Sequence, residues 1–193
     1  LLKEGKIRAA LKVLDDAHLE EKAEASLAAI QESKRGIQQL EETVALRTQE
    51  VEQIIAAYKL KAEGHELLFE YRKTAQAYEK RVELMEAISS VTDLELANAY
   101  RDVAAAYQEV GEYTKAMEYS LRDVQLCENL LAQNASTLAD SYVRLAISHQ
   151  DLGDYEKALA AQQKAISIKG EVYESNHPRI ATSYNNLALI YKD

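Results

Sequence analysis

The sequence contains little cysteine, proline or glycine and no tryptophan. Cys127 is the only cysteine, which excludes an internal disulfide or a cysteine-based metal site and suits a reducing compartment such as the cytoplasm. Pro178 is the only proline, and six glycines occur in 193 residues, so few positions interrupt a helix. No apolar run reaches the ~18 residues of a membrane-spanning helix, and no signal peptide is visible. We therefore expect a cytoplasmic chain with no membrane partner.

The chain is acidic, with a formal net charge of −9 and both signs interspersed. Nucleic acids and anionic membranes bind basic surfaces, so the charge argues against both as partners. Alanine, leucine, glutamate, lysine and glutamine abound. Alanine loses no side-chain entropy when a helix forms, and the other four lose little. The composition predicts an all-α protein.

The strongest pattern in the sequence is a repeat of 42 residues. Four tyrosines and four alanines occur at this spacing: Tyr58, Tyr100, Tyr142 and Tyr184, and Ala62, Ala104, Ala146 and Ala188. Gly111 and Gly153 follow the same spacing. A fixed period that combines large and small apolar residues is typical of a stacked repeat protein. Such a fold offers an extended concave surface on which another protein can bind.

Each repeat predicts two helices joined by a short turn. From Ala97, one apolar stripe is formed by Tyr100, Val103 and Tyr107 at helical spacing. Gly111 is expected to end this helix in a left-handed conformation, which costs glycine least. A second helix then begins near Tyr113. In an earlier copy Phe69 stands where the glycines stand later, so we expect its turn to have a different geometry.

This unit resembles the tetratricopeptide repeat. The resemblance rests on an aromatic residue at the fourth position, Leu-Ala at positions seven and eight, and Gly-x-Tyr-x-x-Ala at the turn. The longer period, with Asn176-His177-Pro178 leading into the last copy, resembles the kinesin light chain variety. The resemblance to these repeats implies a right-handed α-α superhelix. The resemblance extends to residues 1–14, where Gly5 takes the turn position.

The repeats divide the chain into six segments. We expect them at 1–14 (second helix of a truncated repeat), 15–54 (long helical insert), 55–96 (divergent repeat), 97–138 and 139–180 (repeats), and 181–193 (first helix of a truncated repeat). The chain starts at Leu1 and stops part-way through a repeat, so we expect a fragment of a longer protein. The last helix would then lack its partner and expose an apolar side that includes Leu187 and Ile190.

The insert contains no proline and one glycine, Gly36. We favour a single extra-long helix over about residues 17–68; the alternative is a helical hairpin that turns at Gly36, after Lys34 and Arg35. Its apolar residues keep a seven-residue phase: Ile30, Ile37, Val44 and Val51.

This stripe has two interpretations. A sustained coiled coil has apolar residues at two positions of every seven, which form the seam between its helices. If Ile30, Ile37, Val44 and Val51 occupy the first of these positions, the second holds Ser33, Leu40, Arg47, Ile54 and Lys61. Every other residue at this second seam position is polar. We therefore favour a stripe that packs on neighbouring repeat helices. A homodimer through the long helix, or through the truncated last repeat, stays open.

The first helix of each pair is expected to line the concave groove. Residues two before, one after and eight after each repeat tyrosine would face a partner. The groove residues predicted in this way are Lys59, Asn98, Arg101, Gln108, Asp140, Val143, Gln150, Thr182 and Asn185. Side-chain amides both donate and accept hydrogen bonds, so they can hold the backbone of an extended peptide. Asn185 matches the asparagine of kinesin light chain-like repeats; Lys59, Arg101 and Val143 do not.

The sequence lacks a catalytic motif. The four histidines show no metal-binding pair, and no glycine-rich phosphate loop or nucleophile elbow is present. We expect no enzyme activity, no metal and no cofactor.

Two functions follow from these patterns. The first is a protein-interaction scaffold or adaptor that binds a peptide segment of a partner in the groove. Apolar side chains at Val143, Ile147 and Leu189 on the inner face would support it. The alternative is a structural or oligomerisation arm within a larger signalling or ATPase protein, which predicts that the stripe of the long helix is exposed in the monomer.

Overall fold

The structure is a computed structural model that describes residues 2–15, 18–129, 135–174 and 177–192. Within these ranges it contains eight helices and no strand. The helices are α1 (Leu2–Asp15), α2 (Leu19–Leu67), α3 (Tyr71–Glu86), α4 (Asp93–Val110), α5 (Tyr113–Asn129), α6 (Ala135–Asp151), α7 (Tyr155–Val172) and α8 (Pro178–Lys192). The all-α prediction is confirmed. None of the described helices combines the length and the apolar character needed to cross a bilayer.

The chain divides into two compact units, Leu1–Glu50 and Val51–Asp193. The first contains α1 and most of α2. The prediction of one extra-long helix is confirmed, because α2 runs through 49 residues without a break at Gly36; residue 17, its predicted start, lies outside the described residues. Gly5, predicted at a turn, lies inside α1. A single glycine costs a helix only about 1 kcal/mol relative to alanine, so neither glycine needs to end one.

The second unit is built from helices that pack in chain order. Each helix from α3 to α8 packs on the next, and α4 also contacts α6. This is the arrangement of an α-α solenoid, as predicted. The repeat positions explain the packing: Tyr100 and Tyr142 are buried, and Ala104 and Ala146 are fully buried. The small side chains let the helix axes approach while the rings fill the spaces between them.

Local signals set the helix ends. Thr92 and Glu95 form a reciprocal capping box at the start of α4, in which the Thr92 hydroxyl accepts from the backbone N–H of Glu95 at 3.3 Å. Gly111 ends α4 with φ 81°, and Gly153 follows α6 with φ 78°. Both glycines take the left-handed conformation that the sequence predicted.

The prediction for Phe69 was wrong. Phe69 has φ 57°, so it also lies in the left-handed region. Its backbone N–H donates to the Glu66 carbonyl at 2.9 Å, and that of Glu70 donates to the His65 carbonyl at 2.9 Å. The Gly111 and Gly153 turns make the same two bonds. The packing of the helices thus imposes one turn geometry on each repeat, including the one with an unsuitable residue.

The apolar side of α8 also differs from the prediction. Ile190 is buried in the core and Leu187 is half-buried, because these residues, with Ile180 and Ser183, share one face of the helix and α8 packs on α7. Other residues of α8 are exposed instead: Tyr184, Leu189 and Tyr191 are 55%, 56% and 66% exposed.

The stripe of α2 is not covered along the first unit. Ile30, Ile37 and Val44 are 50%, 57% and 63% exposed, whereas Val51 is half-buried. The expectation that this stripe packs on neighbouring helices is therefore wrong for its first three residues. Exposure is what the oligomerisation-arm alternative predicted for them.

Candidate functional site

A polar cavity of about 620 Å³ lies against the first helices of successive pairs in the second unit. It is lined by Lys59 on α2, Arg81 on α3, Glu95, Asn98, Arg101 and Asp102 on α4, and Arg144 on α6. Three of the predicted groove residues, Lys59, Asn98 and Arg101, are therefore brought together. Helical spacing explains this for α4, since residues 95, 98, 101 and 102 lie on one face of a helix.

Ion pairs hold the charged side chains of this cavity in place. Arg81 donates to Asp102 at 3.0 Å, and its side chain is only 12% exposed. Arg101 contacts Asp123 of α5 with 3.8 Å between Nε and Oδ2, and Asp123 is fully buried. Arg101 also donates to the side-chain amide oxygen (Oδ1) of Asn98. The guanidinium groups of Arg81 and Arg101 in this cavity are therefore each paired with a carboxylate.

Burial shifts the protonation equilibria of these groups. It raises the pKa of Asp102 and of Asp123 above the ordinary aspartate range, and attraction to Arg81 and to Arg101, respectively, offsets part of that rise. Burial lowers the pKa of Arg144, which Asp123 offsets in part. Each shift opposes the charged form because desolvation penalises an ion.

Gln108, a predicted groove residue, bridges two repeats. Its side-chain amide donates to Asp151 at 3.1 Å and accepts from Arg144 at 3.3 Å. Since Gln108 lies on α4 and both partners lie on α6, this side chain ties consecutive first helices together. Its hydrogen-bonding groups are already engaged, so its contribution to the surface is in part structural.

Asp140 is also engaged in ion pairs. Its carboxylate lies 3.1 Å from Nζ of Lys169 on α7 and 3.2 Å from the Arg179 guanidinium on α8. Lys169 is buried, and its ammonium also donates to the Ser183 hydroxyl at 3.2 Å. A buried lysine needs a paired anion. Asp140 therefore joins α6 to the two helices that follow it.

The remaining predicted residues lie apart from the polar cavity. Val143 packs partly against the core, and Gln150 is half-buried. Thr182 is exposed and donates to the Pro178 carbonyl of its own helix at 3.1 Å, while Asn185 is exposed.

Apolar side chains lie near the predicted groove residues. Ile147 on α6 is 37% exposed, in contrast to the half-buried Val143. A second cavity of about 350 Å³ adjoins the polar one, with which it shares Lys59, Arg81 and Glu95. Its apolar lining is provided by Ile55, Ala56, Met85 and Val91. A pocket with a partly apolar lining thus lies directly beside a charged one.

Sequence reasoning did not select Arg81, Glu95, Asp102 or Arg144. A signal for three of them was present in the 42-residue period. Asp102 and Arg144 occupy the same repeat position with opposite charges, and so do Arg81 and Asp123. A search for charge reversal at equivalent positions would have found them. Across the described ranges, no cluster of three or more histidine, cysteine, aspartate or glutamate side chains is suited to a metal ion.

Comparison with known proteins identifies the repeats. Residues 137–193 match the tetratricopeptide repeat family, and comparison with curated proteins gives no significant match. The crystal structure of BtubC (BKLC) from P. vanneervenii is similar with a TM-score of 0.63 and 17% identity, over 72% of this chain and 55% of that one. A kinesin light chain protein of Podospora anserina with nearly identical TPR-like repeats gives 0.62 and 19%, over 71% and 65%.

A peptide complex has the same fold. The Rap conjugation gene regulator of plasmid pLS20, solved with the Phr* peptide, gives a TM-score of 0.59 and 16% identity, over 69% of this chain and 36% of that one. This chain covers less than two thirds of each of the three structures. At such identities the likenesses show the fold alone. The family match shows tetratricopeptide repeats over residues 137–193, in agreement with the predicted repeat type.

Proposed function

We propose that this tetratricopeptide-repeat chain is a non-catalytic scaffold that holds a peptide segment of a partner protein along the face formed by α2, α4, α6 and α8. The observation that carries the proposal is the pair of adjoining cavities described above. One is lined by four cations, two carboxylates and the Asn98 amide, and the other combines aliphatic side chains with charged ones. An extended segment can place alternate side chains in such pockets while its backbone bonds to side-chain amides.

The charges of the polar cavity suit an acidic or neutral segment. Lys59, Arg81, Arg101 and Arg144 contribute four cations, and Glu95 and Asp102 two carboxylates. This excess of positive charge contrasts with the acidic chain as a whole, whose net charge is −9. The Rap regulator, which has the same fold, was solved with a peptide. We carry that mode of binding over to this chain as part of the proposal.

Peptide display tests this proposal with variants that spare the fold. A random library of extended peptides is selected on the wild-type chain, and the enriched peptides are measured against a triple variant, Lys59→Ala/Asn98→Ala/Asn185→Ala. These three side chains are exposed, so their loss leaves the core intact. We expect the affinity to fall at least about ten-fold, which corresponds to about 1.4 kcal/mol.

The matched control is Gln76→Ala/Gln125→Ala/Gln163→Ala. These residues are exposed on α3, α5 and α7, the second helices of the pairs. We expect this variant to bind the peptides like the wild type, and both variants to keep the wild-type helicity by circular dichroism. Peptides that bind the two variants equally well, or a selection that enriches none, would show that the groove does not capture peptides.

A further inference from the structure

The first unit presents an apolar stripe that the groove proposal does not use. It consists of Ile30, Ile37, Leu40 and Val44, and we call it the α2 stripe. Each of these side chains is at least half exposed, with Leu40 at 67%. Their spacings of seven, three and four residues place them on one face of α2. An apolar seam of this length and exposure is unusual on a single helix unless another surface covers it.

We propose that the α2 stripe packs against the α2 stripe of a second copy of this chain, with the two helices antiparallel. The charges beside the stripe favour the antiparallel orientation. Lys34 and Arg35 precede its centre, and Glu41 and Glu42 follow it. An antiparallel pair centred between residues 38 and 39 brings Lys34 of each copy close to Glu41 of the other, on the same side of the stripe and about 3 Å apart along the helix axis. The basic half of each helix therefore meets an acidic half, twice by symmetry.

A parallel pair would lack this complementarity. Like charges would lie at the same level, and the two Arg47 side chains would face each other in the seam. The positions that flank the seam and make interhelical ion pairs in parallel coiled coils hold Ala29, Gly36 and Thr43. Parallel helices would therefore gain no ion pair at these positions. The charge pattern favours the antiparallel arrangement over the parallel one.

The antiparallel arrangement also accommodates the polar seam residues. With the same centre, Ile37 packs against Leu40 of the second copy in two central layers, and Val44 covers Ser33. Arg47 meets Ile30; its aliphatic stem can lie on that side chain while the guanidinium stays in solvent, where it already bonds Glu50 at 2.6 Å. The interface is thus short and ends where the polar seam residues recur.

Light scattering after size exclusion tests the assembly. We expect the wild-type chain to run at twice its mass of 21.7 kDa at micromolar concentration, and Ile37→Glu/Leu40→Glu to run as a monomer. The control, Gln31→Glu/Gln39→Glu, adds the same charge at exposed positions beside the stripe, and it should remain a dimer. A monomeric wild type, or a dimer that survives in the stripe variant, would overturn the proposal.

Charge exchange tests the orientation. Lys34→Glu and Glu41→Lys should each weaken self-association about ten-fold, since each creates two like-charge contacts. An equimolar mixture of the two variants should pair at wild-type strength, because every contact is again between opposite charges. In a parallel dimer neither single variant would be weakened, because each keeps two like-charge levels as the wild type does, and the mixture would pair more tightly than the wild type.

Cross-linking gives an independent readout of the same orientation. Under mild oxidation, Ser33→Cys mixed with Val44→Cys should form a disulfide-linked heterodimer, and Val44→Cys alone should form none. The wild type controls for the native Cys127, which is buried. Self-linking of Val44→Cys without linking in the mixture would show parallel helices and contradict the proposal.

Discussion

Arg81 on α3 donates to Asp102 on α4 at 3.0 Å, and one repeat later the charges are exchanged. Asp123 on α5 occupies the position of Arg81, and Arg144 on α6 occupies that of Asp102. Asp123 and Arg144 attract each other. Two successive junctions between repeats therefore carry opposite charges at the same two positions, with the polarity reversed.

Reversing one charge of the first pair should destabilise the chain, and reversing both should restore it in part. Arg81→Asp or Asp102→Arg alone sets like charges together where Arg81 is 12% exposed, and we expect each to lower the free energy of unfolding by about 2 kcal/mol. The double variant should regain more than half of that loss. Urea denaturation provides the measurement.

The exposed pair Lys80–Glu83 is the control for this cycle, since both side chains are at least half exposed. Its reversal should change the free energy of unfolding by less than about 0.5 kcal/mol. A double variant that is less stable than either single variant would mean that Arg81 and Asp102 do not stabilise the chain as a pair.

Glycine at position 69 should stabilise the protein. Phe69 holds a left-handed backbone conformation that costs a non-glycine residue about 1–2 kcal/mol, and its ring is 76% exposed, so little packing is lost. We expect Phe69→Gly to raise the free energy of unfolding by about 0.5–1 kcal/mol, after the greater chain entropy of glycine is included. Thermal denaturation would show it as a higher Tm.

The converse substitution provides the comparison. Gly153→Ala should lower the free energy of unfolding by about 1 kcal/mol for conformational reasons alone, since no atom lies within 4 Å of the added Cβ. Equal and near-zero effects at residues 69 and 153 would show that the left-handed turn does not limit stability.

Removing the Asp140 carboxylate should cost more than removing any exposed groove side chain. Asp140→Ala leaves the buried Lys169 ammonium without its nearest anion, and we expect a loss of about 3 kcal/mol in the free energy of unfolding. Asn185→Ala, at an exposed position of α8, should change it by less than about 0.5 kcal/mol.

A second substitution separates the ion pair from other roles of Asp140. In the background Asp140→Ala/Lys169→Met the unpaired charge is gone, so stability should return to within about 1 kcal/mol of the wild type. Chemical denaturation of the single and double variants measures both steps. Asp140→Ala with wild-type stability would contradict the pairing.

Stability should fall as the pH rises from 10 to about 12. Burial raises the pKa of Tyr78 and of Tyr100 from 10.0 to about 12. Between these values an unfolded tyrosine has lost its proton while the folded one keeps it, so ionisation favours the unfolded state. Below pH 10 both states are neutral at these residues and no such loss arises.

Ultraviolet titration of tyrosine ionisation, followed in parallel with circular dichroism, measures this effect. Tyr78→Phe should retain its helicity to a higher pH than the wild type. Tyr184→Phe, which changes an exposed ring, should leave the alkaline midpoint unchanged. Equal midpoints for all three proteins would show that buried tyrosines do not set the alkaline limit.

The fold was largely predictable because the 42-residue period places the same residue types in phase. Ala104 and Ala146 are fully buried as the pattern requires. Phe69 was mispredicted because the conformation of a turn was inferred from its residue, whereas the helices on both sides impose it. Ile190 was mispredicted because its burial depends on which face of α8 meets α7.

The candidate site was less predictable. Helical spacing brought Asn98 and Arg101 to one face, and the cavity includes both. The partners of Asp140 and Gln108 lie on other helices, between 29 and 43 residues away in the sequence, and helical periodicity within one repeat carries no information about such contacts. Only the stacking of successive pairs determines them.

The charge exchange between successive repeats also fixes their order. Arg81 on α3 pairs with Asp102 on α4. If one repeat of 42 residues were lost between α3 and α6, Arg81 would instead lie against Arg144. A uniform array could gain or lose a unit during recombination and still stack well. Here such a deletion would bring two arginines together at the new junction, so the charge order at these two junctions opposes the loss of the repeat between them.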